Sequence, residues 1–180
     1  ANAKSFFQEV EDELKKSDKI EGHKVWRIYR DVRFSKDKSP YKLNRSAAIS
    51  AGGKKDHANP GLYFEITPEH VRVYTGVYGS DKHQLLAVRE EIADNLKEFD
   101  KIINDKKFKK VFGQINGEKN VRLPKELQEA AEKQPLIYNK QFYVYTSFPP
   151  EIILEEGLEK KLVDAYKIAE PFSKFLSMFW

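Results

Sequence analysis

The chain has 180 residues, of which 40% are hydrophobic and 33% are charged, and its formal net charge is +4. Its 12 Phe, 9 Tyr and 2 Trp supply enough apolar area for a sizeable core, which argues against a disordered chain and indicates one domain. The sequence contains no cysteine, and this excludes disulfides, thiolate metal ligands and a cysteine nucleophile.

The sequence carries no membrane or secretion signal that we recognise. No apolar run approaches the roughly 18–20 residues needed to cross a bilayer. The opening residues Ala1, Asn2, Ala3 and Lys4 do not resemble a signal peptide. We therefore expect a soluble, cytoplasmic protein with no membrane partner.

The first half of the chain predicts one helix followed by four strands. Apolar residues at three- and four-residue steps, with a serine as the cap, predict a helix over residues 5–14. Alternating patterns and β-branched or aromatic residues predict strands at 25–30, 45–50, 62–66 and 70–78. The last two strands have a short connection, which favours an antiparallel hairpin.

The second half of the chain predicts mainly helices. Over residues 85–96, apolar side chains recur every three or four positions, as on one face of an amphipathic helix. Pro171 is expected to kink or restart the last helix. The other predicted elements are a helical stretch at 99–103, a glycine-punctuated connection at 108–119, a short helix at 126–133, a strand at 141–146 and a C-terminal helix that starts near residue 154.

The order of these elements indicates the fold class. A helix, a block of strands, several helices, one strand and a last helix are segregated along the chain and do not alternate strictly. This order predicts an α+β fold, with an antiparallel or mixed sheet and with helices packed mainly on one face. We expect residues 1–180 to form a single domain of this kind.

A short basic stretch, residues 30–42, is the most unusual part of the sequence, and we call it the basic loop. It holds five cations and two carboxylates, and the longer stretch 24–42 holds seven cations and two carboxylates. Arginine offers forked donors for phosphate or carboxylate, and lysine adds point charge. Because two local acids cannot neutralise seven cations, the loop favours a site for a small anionic ligand bearing phosphate or carboxylate.

The candidate ligand-binding residues combine this loop with one helical arginine. Asp31 and Asp37 would orient the cations, or serve as acid or base if the protein is an enzyme, which the sequence leaves open. Arg89 lies beside an apolar helix stripe, from which it could face the sheet and complete the site. The full candidate set is Arg30, Asp31, Arg33, Lys36, Asp37, Lys38, Tyr41, Lys42 and Arg89.

Other interpretations of the basic loop remain open at this stage. Asp31 and Asp37 could simply pair with neighbouring cations and make the loop a structural staple, and exposed ion pairs are common and weak. A non-catalytic module that binds an acidic protein surface or RNA is a further alternative, although so local a patch makes nucleic acid, and duplex DNA above all, an unlikely partner. A flat basic face with exposed Tyr29 and Tyr74 would favour nucleic-acid stacking instead.

We predict no metal site and no cofactor. The four histidines lack metal-ligand spacing, and His57 beside Asp56 is the one plausible acid–base candidate among them. The loop at residues 52–55 is rich in glycine and lysine but lacks the P-loop ending, so we interpret it as a surface loop that could cover the basic patch. Trp180 at the end of the aromatic C-terminal helix makes a dimer contact reasonable.

The basic stretch also carries a family resemblance. Residues 27–42 resemble the signature stretch of the domain-of-unknown-function family 2461. The resemblance implies a compact domain, and it implies no activity or catalytic residue that can be assigned here. That family usually opens with a further helical segment containing Asn and Trp-Phe, so we expect residues 1–180 to lack part of that segment. Similar features recur at residues 60–64, at Gly76, at 86–92 with Arg89, at 123–125, and at Pro171 and Phe172.

Overall fold

The computed structural model describes residues 3–15, 22–50 and 61–177. The predictions for the 52–55 loop, for His57 and for Trp180 lie outside these residues. The elements are α1 (Ala3–Lys15), β1 (Gly22–Val25), β2 (Arg45–Ser50), β3 (Gly61–Ile66), β4 (Val71–Val77), α2 (Lys82–Asp94), α3 (Leu96–Ile103), α4 (Lys106–Phe112), α5 (Lys125–Lys133), a 3-10 helix (Pro135–Tyr138), β5 (Phe142–Phe148), a second 3-10 helix (Pro150–Leu154) and α6 (Leu158–Ser177).

The five strands form one antiparallel sheet in the order β1-β2-β3-β4-β5, so the α+β prediction is confirmed and the sheet is antiparallel. Each strand pairs with its neighbour in the sequence. Cross-strand pairing places Tyr63 opposite Tyr74, and Tyr74 opposite Tyr145. This register decides which side chains from distant parts of the chain share a face.

The core lies on one face of the sheet. Along β4, the alternation buries Val71, Val73, Thr75 and Val77, while the residues between them point to the other face. Helix α6 supplies ten buried residues to the core, and its Ser173 hydroxyl lies 2.9 Å from that of Thr75, which satisfies both buried groups. Neither of the two core clusters contains a residue from the second face of the sheet.

The connection predicted over residues 108–119 is partly wrong, because the chain forms helix α4 before the first glycine. The Asp105 side chain caps the helix by accepting hydrogen bonds from the backbone N–H groups of Lys107 and Phe108, at 2.9 and 3.0 Å. Phe108 and Phe112, one helical turn apart, are both buried. Gly113 ends the helix at a φ of 72°.

The restart predicted at Pro171 is also wrong, since α6 continues through that residue, while the kink stays a prediction. The neighbouring Phe172 is fully buried, and Pro171 itself faces solvent. Packing on both sides of Pro171 therefore outweighs the lost backbone hydrogen bond. The helix instead starts after Gly157, at a φ of 78°, and Leu154, predicted to open the stripe, is 84% exposed.

The first predicted strand is displaced toward the N-terminus. β1 ends at Val25, whereas the alternating pattern predicted a strand over 25–30. The Trp26 N–H still donates to the Ser46 carbonyl oxygen, at 3.0 Å. The segment that follows β1 and the segment that precedes β2 therefore leave the sheet together, as a two-stranded ribbon. In the part of the chain that the structure describes, no helix combines the length and the hydropathy that crossing a bilayer requires.

Candidate functional site

The basic loop is the tip of a ribbon that continues from β1 and β2. The Arg30 N–H donates to the Pro40 carbonyl oxygen at 2.9 Å. Tyr29 and Tyr41 pair across the ribbon, with ring centroids 5.5 Å apart. This pairing brings the two ends of the loop together, so its charged side chains project from one edge of the sheet.

Arg30 and Asp37 form the centre of a hydrogen-bond network inside the loop. The Arg30 guanidinium pairs with the Asp37 carboxylate. The Ser39 N–H and hydroxyl both donate to Asp37 Oδ1, at 2.9 and 2.5 Å. These hydrogen bonds from Ser39, together with Arg30, lower the pKa of the Asp37 carboxyl well below its usual range. The network joins the two sides of the loop.

Asp31 is occupied by Arg33 in the same way. Arg33 donates from Nε to Oδ1 at 2.9 Å and from Nη2 to Oδ2 at 2.6 Å, which is a bidentate pair. The hydrogen bonds from Arg33 lower the pKa of the Asp31 carboxyl. Because a carboxylate with a lowered pKa is a weak base near neutral pH, neither Asp31 nor Asp37 is well suited to acid–base chemistry there.

The remaining cations of residues 27–42 divide into two groups. Lys38 Nζ donates to the Val32 carbonyl oxygen at 2.9 Å and so joins the loop's internal contacts. Arg27, Lys36 and Lys42 are exposed, and none of them lies within ion-pair distance of an acid among residues 3–15, 22–50 and 61–177, although the charge of Arg27 acts on Asp31 from farther away and helps to lower the pKa of that carboxyl. We call these three residues the unmatched cations.

Arg89 does not join the basic loop. It is 5% exposed on α2, and its Nη2 donates to the Asn139 carbonyl oxygen at 2.9 Å. Asn139 lies just before β5, at the sheet edge opposite to the one from which the basic loop projects. Burial lowers the pKa of the Arg89 guanidinium, and its Nε has no hydrogen-bond partner in the described structure. The sequence did not reveal this burial.

A cavity of about 490 Å³ lies at that opposite edge. Asn139, 1% exposed, lines it, and the Asn139 Oδ1 atom has no hydrogen-bond partner in the described structure. Lys109 and Lys119 also line the cavity. None of the predicted site residues reaches it. Gly113 and Gly117, which the sequence analysis noted only as punctuation of a connection, also line it.

The second face of the sheet carries a path of aromatic rings. Tyr63 and Tyr74 have ring centroids 5.5 Å apart, and Tyr74 and Tyr145 have centroids 5.3 Å apart. Trp26 continues the path toward the basic loop, 5.6 Å from Tyr63. Tyr143 continues it on β5, 6.4 Å from Tyr74. We call Tyr63, Tyr74 and Tyr145 the tyrosine row; the sequence analysis singled out Tyr74 alone among them.

Comparisons with known proteins bear on the family. A family model described as "Conserved hypothetical protein (DUF2461)" matches residues 1–175. This match confirms the resemblance predicted from residues 27–42. Searches of the curated proteins and of the solved structures found no match to the chain.

Proposed function

The chain belongs to the conserved hypothetical protein family DUF2461, and we propose that it binds an anionic ligand through the unmatched cations of its basic stretch. One observation carries this proposal. Arg30 and Arg33 are paired with acids of the loop, whereas Arg27, Lys36 and Lys42 are not. A phosphate or carboxylate group from outside would supply the missing negative charge.

The paired arginines and the unmatched cations have different roles in this proposal. The networks around Asp37 and Asp31 hold the loop backbone, which is the structural part considered in the sequence analysis. Lys36 and Lys42 then act as point charges on this fixed frame. Because both lysines are exposed, the attraction they exert falls as salt concentration rises, and binding should weaken accordingly.

Reversing the charge of Lys36 and Lys42 tests the proposal. We expect the Lys36→Glu, Lys42→Glu double variant to fold normally, since both side chains are exposed. Its affinity for pyrophosphate or citrate should fall by roughly tenfold or more, because repulsion replaces attraction at both positions. The measurement is the ligand-dependent rise in thermal denaturation midpoint at low salt, which follows from binding to the native state.

A matched variant controls for overall charge. Lys160 and Lys167 are exposed residues of α6 and form no ion pair with described residues. The Lys160→Glu, Lys167→Glu variant changes the net charge equally and should keep the full ligand response. If the loop variant responds to pyrophosphate and citrate as strongly as the control, the unmatched cations are not the binding site and the proposal fails.

A further inference from the structure

We infer that the ligand is a single-stranded nucleic acid, whose bases stack on the aromatic path of the second sheet face while its phosphates meet the unmatched cations. This inference rests on the proposed function and specifies its ligand class. Sheet-based RNA-binding modules use aromatic side chains on neighbouring strands to stack two or three bases. The tyrosine row is placed in that way, with its residues directly opposite one another on β3, β4 and β5.

The path is continuous across the sheet. It runs from Trp26 through the tyrosine row to Tyr143 and then to Tyr78. The ring centroids of Tyr143 and Tyr78 are 5.6 Å apart. The two core clusters contain none of these rings. The rings of the row are tilted relative to one another, at 63° and 34°. Tyr63, Tyr74 and Tyr145 are each half-buried, so part of every ring is open to solvent for stacking by a flexible single strand.

The charge of this face suits a polyanion. The Lys24 ammonium lies 5.2 Å from the centroid of the Trp26 ring, and the Arg72 guanidinium lies 5.2 Å from that of Tyr145. Among the described strand residues that point to this face, Glu65 is the one acid. Arg72 is its cross-strand partner. Cations beside aromatic rings are the combination found in single-strand binding grooves, where cation–π contacts and stacking act together.

Glu65 has polar neighbours within the protein. The Asn44 side-chain amide donates to Glu65 Oε2 at 2.9 Å, and His70 Nε2 lies 3.5 Å from Glu65 Oε1. The Arg72 charge, opposite Glu65 on β4, offsets part of the repulsion that this carboxylate would exert on a phosphate chain. The remaining charged side chains at these strand positions, Lys24 and Arg72, are both cations.

The basic loop adjoins one end of the aromatic path. Trp26 stands where the ribbon leaves the sheet, and the loop follows along the same ribbon. A strand that stacks on Trp26 and Tyr63 would therefore have its next phosphates near the unmatched cations. The sequence analysis counted nucleic acid as an unlikely partner because the basic patch is local, and that argument weighs most against duplex DNA, which needs phosphate contacts over a wide face and hides its base faces. A single strand exposes those faces.

Two substitutions at Tyr74 test the inference. Tyr74→Leu keeps an apolar side chain but removes the π-face, and Tyr74→Phe keeps the ring. We expect Tyr74→Leu to weaken binding of a fluorescein-labelled, roughly 10-nucleotide single-stranded RNA by about tenfold, the lower part of the range for losing one stacked base. Tyr74→Phe keeps the ring but loses the hydroxyl that hydrogen-bonds Arg72, so it should bind the RNA more tightly than Tyr74→Leu does. Fluorescence anisotropy gives the affinities, and thermal denaturation confirms that both variants are folded.

Three further probes separate this inference from the proposed function: single-stranded DNA of the same sequence, the matched duplex, and polyglutamate, which has the charge without bases. We expect both single strands to bind, and the duplex and polyglutamate to bind at least about tenfold more weakly. Equal binding of polyglutamate or duplex, or equal loss in Tyr74→Leu and Tyr74→Phe, would overturn the nucleic-acid inference. Retained dependence on Lys36 and Lys42 in those cases would leave the anion proposal standing.

The remaining outcomes are equally decisive. If pyrophosphate stabilises the protein but the single-stranded RNA and DNA do not bind, the nucleic-acid inference is overturned and the anion proposal holds. If neither pyrophosphate nor the oligonucleotides bind, both fail. If the oligonucleotides bind, Tyr74→Leu weakens them, and Lys36→Glu with Lys42→Glu weakens both classes of probe, the two are supported together.

Discussion

Gly76→Ala is expected to destabilise the protein by about 4 kcal/mol or more, or to prevent folding. Gly76 is the last residue but one of β4 and has a φ of 123°, a backbone conformation that residues with a side chain rarely adopt. An added Cβ would lie 2.2 Å from the Phe142 carbonyl oxygen and 2.7 Å from the Tyr143 Cα of β5. Both neighbouring atoms are backbone atoms of a paired strand, so relief of the clash requires the sheet itself to move.

Gly157→Ala is the matched control for this prediction. Gly157 has a φ of 78°, and an added Cβ would meet nothing within 4 Å. Gly157→Ala should lower the free energy of unfolding only by the cost of a positive φ for a residue with a Cβ, about 1–2 kcal/mol. Chemical denaturation of the two variants measures both free energies of unfolding. If Gly76→Ala is no less stable than Gly157→Ala, the close approach of β4 and β5 at Gly76 is not as described.

Arg89→Ala is expected to lower the free energy of unfolding by about 3 kcal/mol, through lost buried donors and a cavity. The Arg89 guanidinium donates a hydrogen bond to the backbone carbonyl oxygen of Asn139 at 2.9 Å. It also lies 3.5 Å from the backbone carbonyl oxygen of Tyr138. Arg89→Met should cost less, because it fills much of the same volume without a charge. The exposed Arg122→Ala is the control and should cost little.

Anion binding gives Arg89 a second, independent readout. Arg89 donates its hydrogen bond to Asn139, next to β5, whereas the basic loop projects from the opposite edge of the sheet. The folded Arg89→Met variant should therefore still be stabilised by pyrophosphate. Loss of that response in a folded Arg89→Met protein would contradict this placement, and would return Arg89 to the binding site predicted from the sequence.

Periodicity predicted most of the elements, because each depends on local spacing. The alternation in β4 and the apolar stripe of α2 can each be recognised within a short segment of the sequence. The errors came where one local signal competed with another. At α4, Gly113 and Gly117 predicted an irregular connection, whereas the Asp105 cap favours a helix. At α6, the core contacts of Phe172 stabilise the helix more than Pro171 destabilises it.

The candidate surface was harder to predict than the fold. Sequence showed the excess of cations in the basic stretch, but not which of them are paired, because Arg30 reaches Asp37 only through the folded loop. The tyrosine row depends on the register of three strands, which joins positions 63, 74 and 145. A prediction from one chain segment at a time cannot show that these rings are neighbours.

The central claim is that the unmatched cations of the basic stretch receive an anion. Titration of the protein with pyrophosphate, followed by nitrogen–proton correlation NMR at low salt, tests it most directly. The account predicts that the largest amide shift changes fall in residues 26–44 and are absent from the Lys36→Glu, Lys42→Glu variant. Shift changes centred instead on the cavity lined by Lys109 and Lys119, or no shift changes at all, would contradict it.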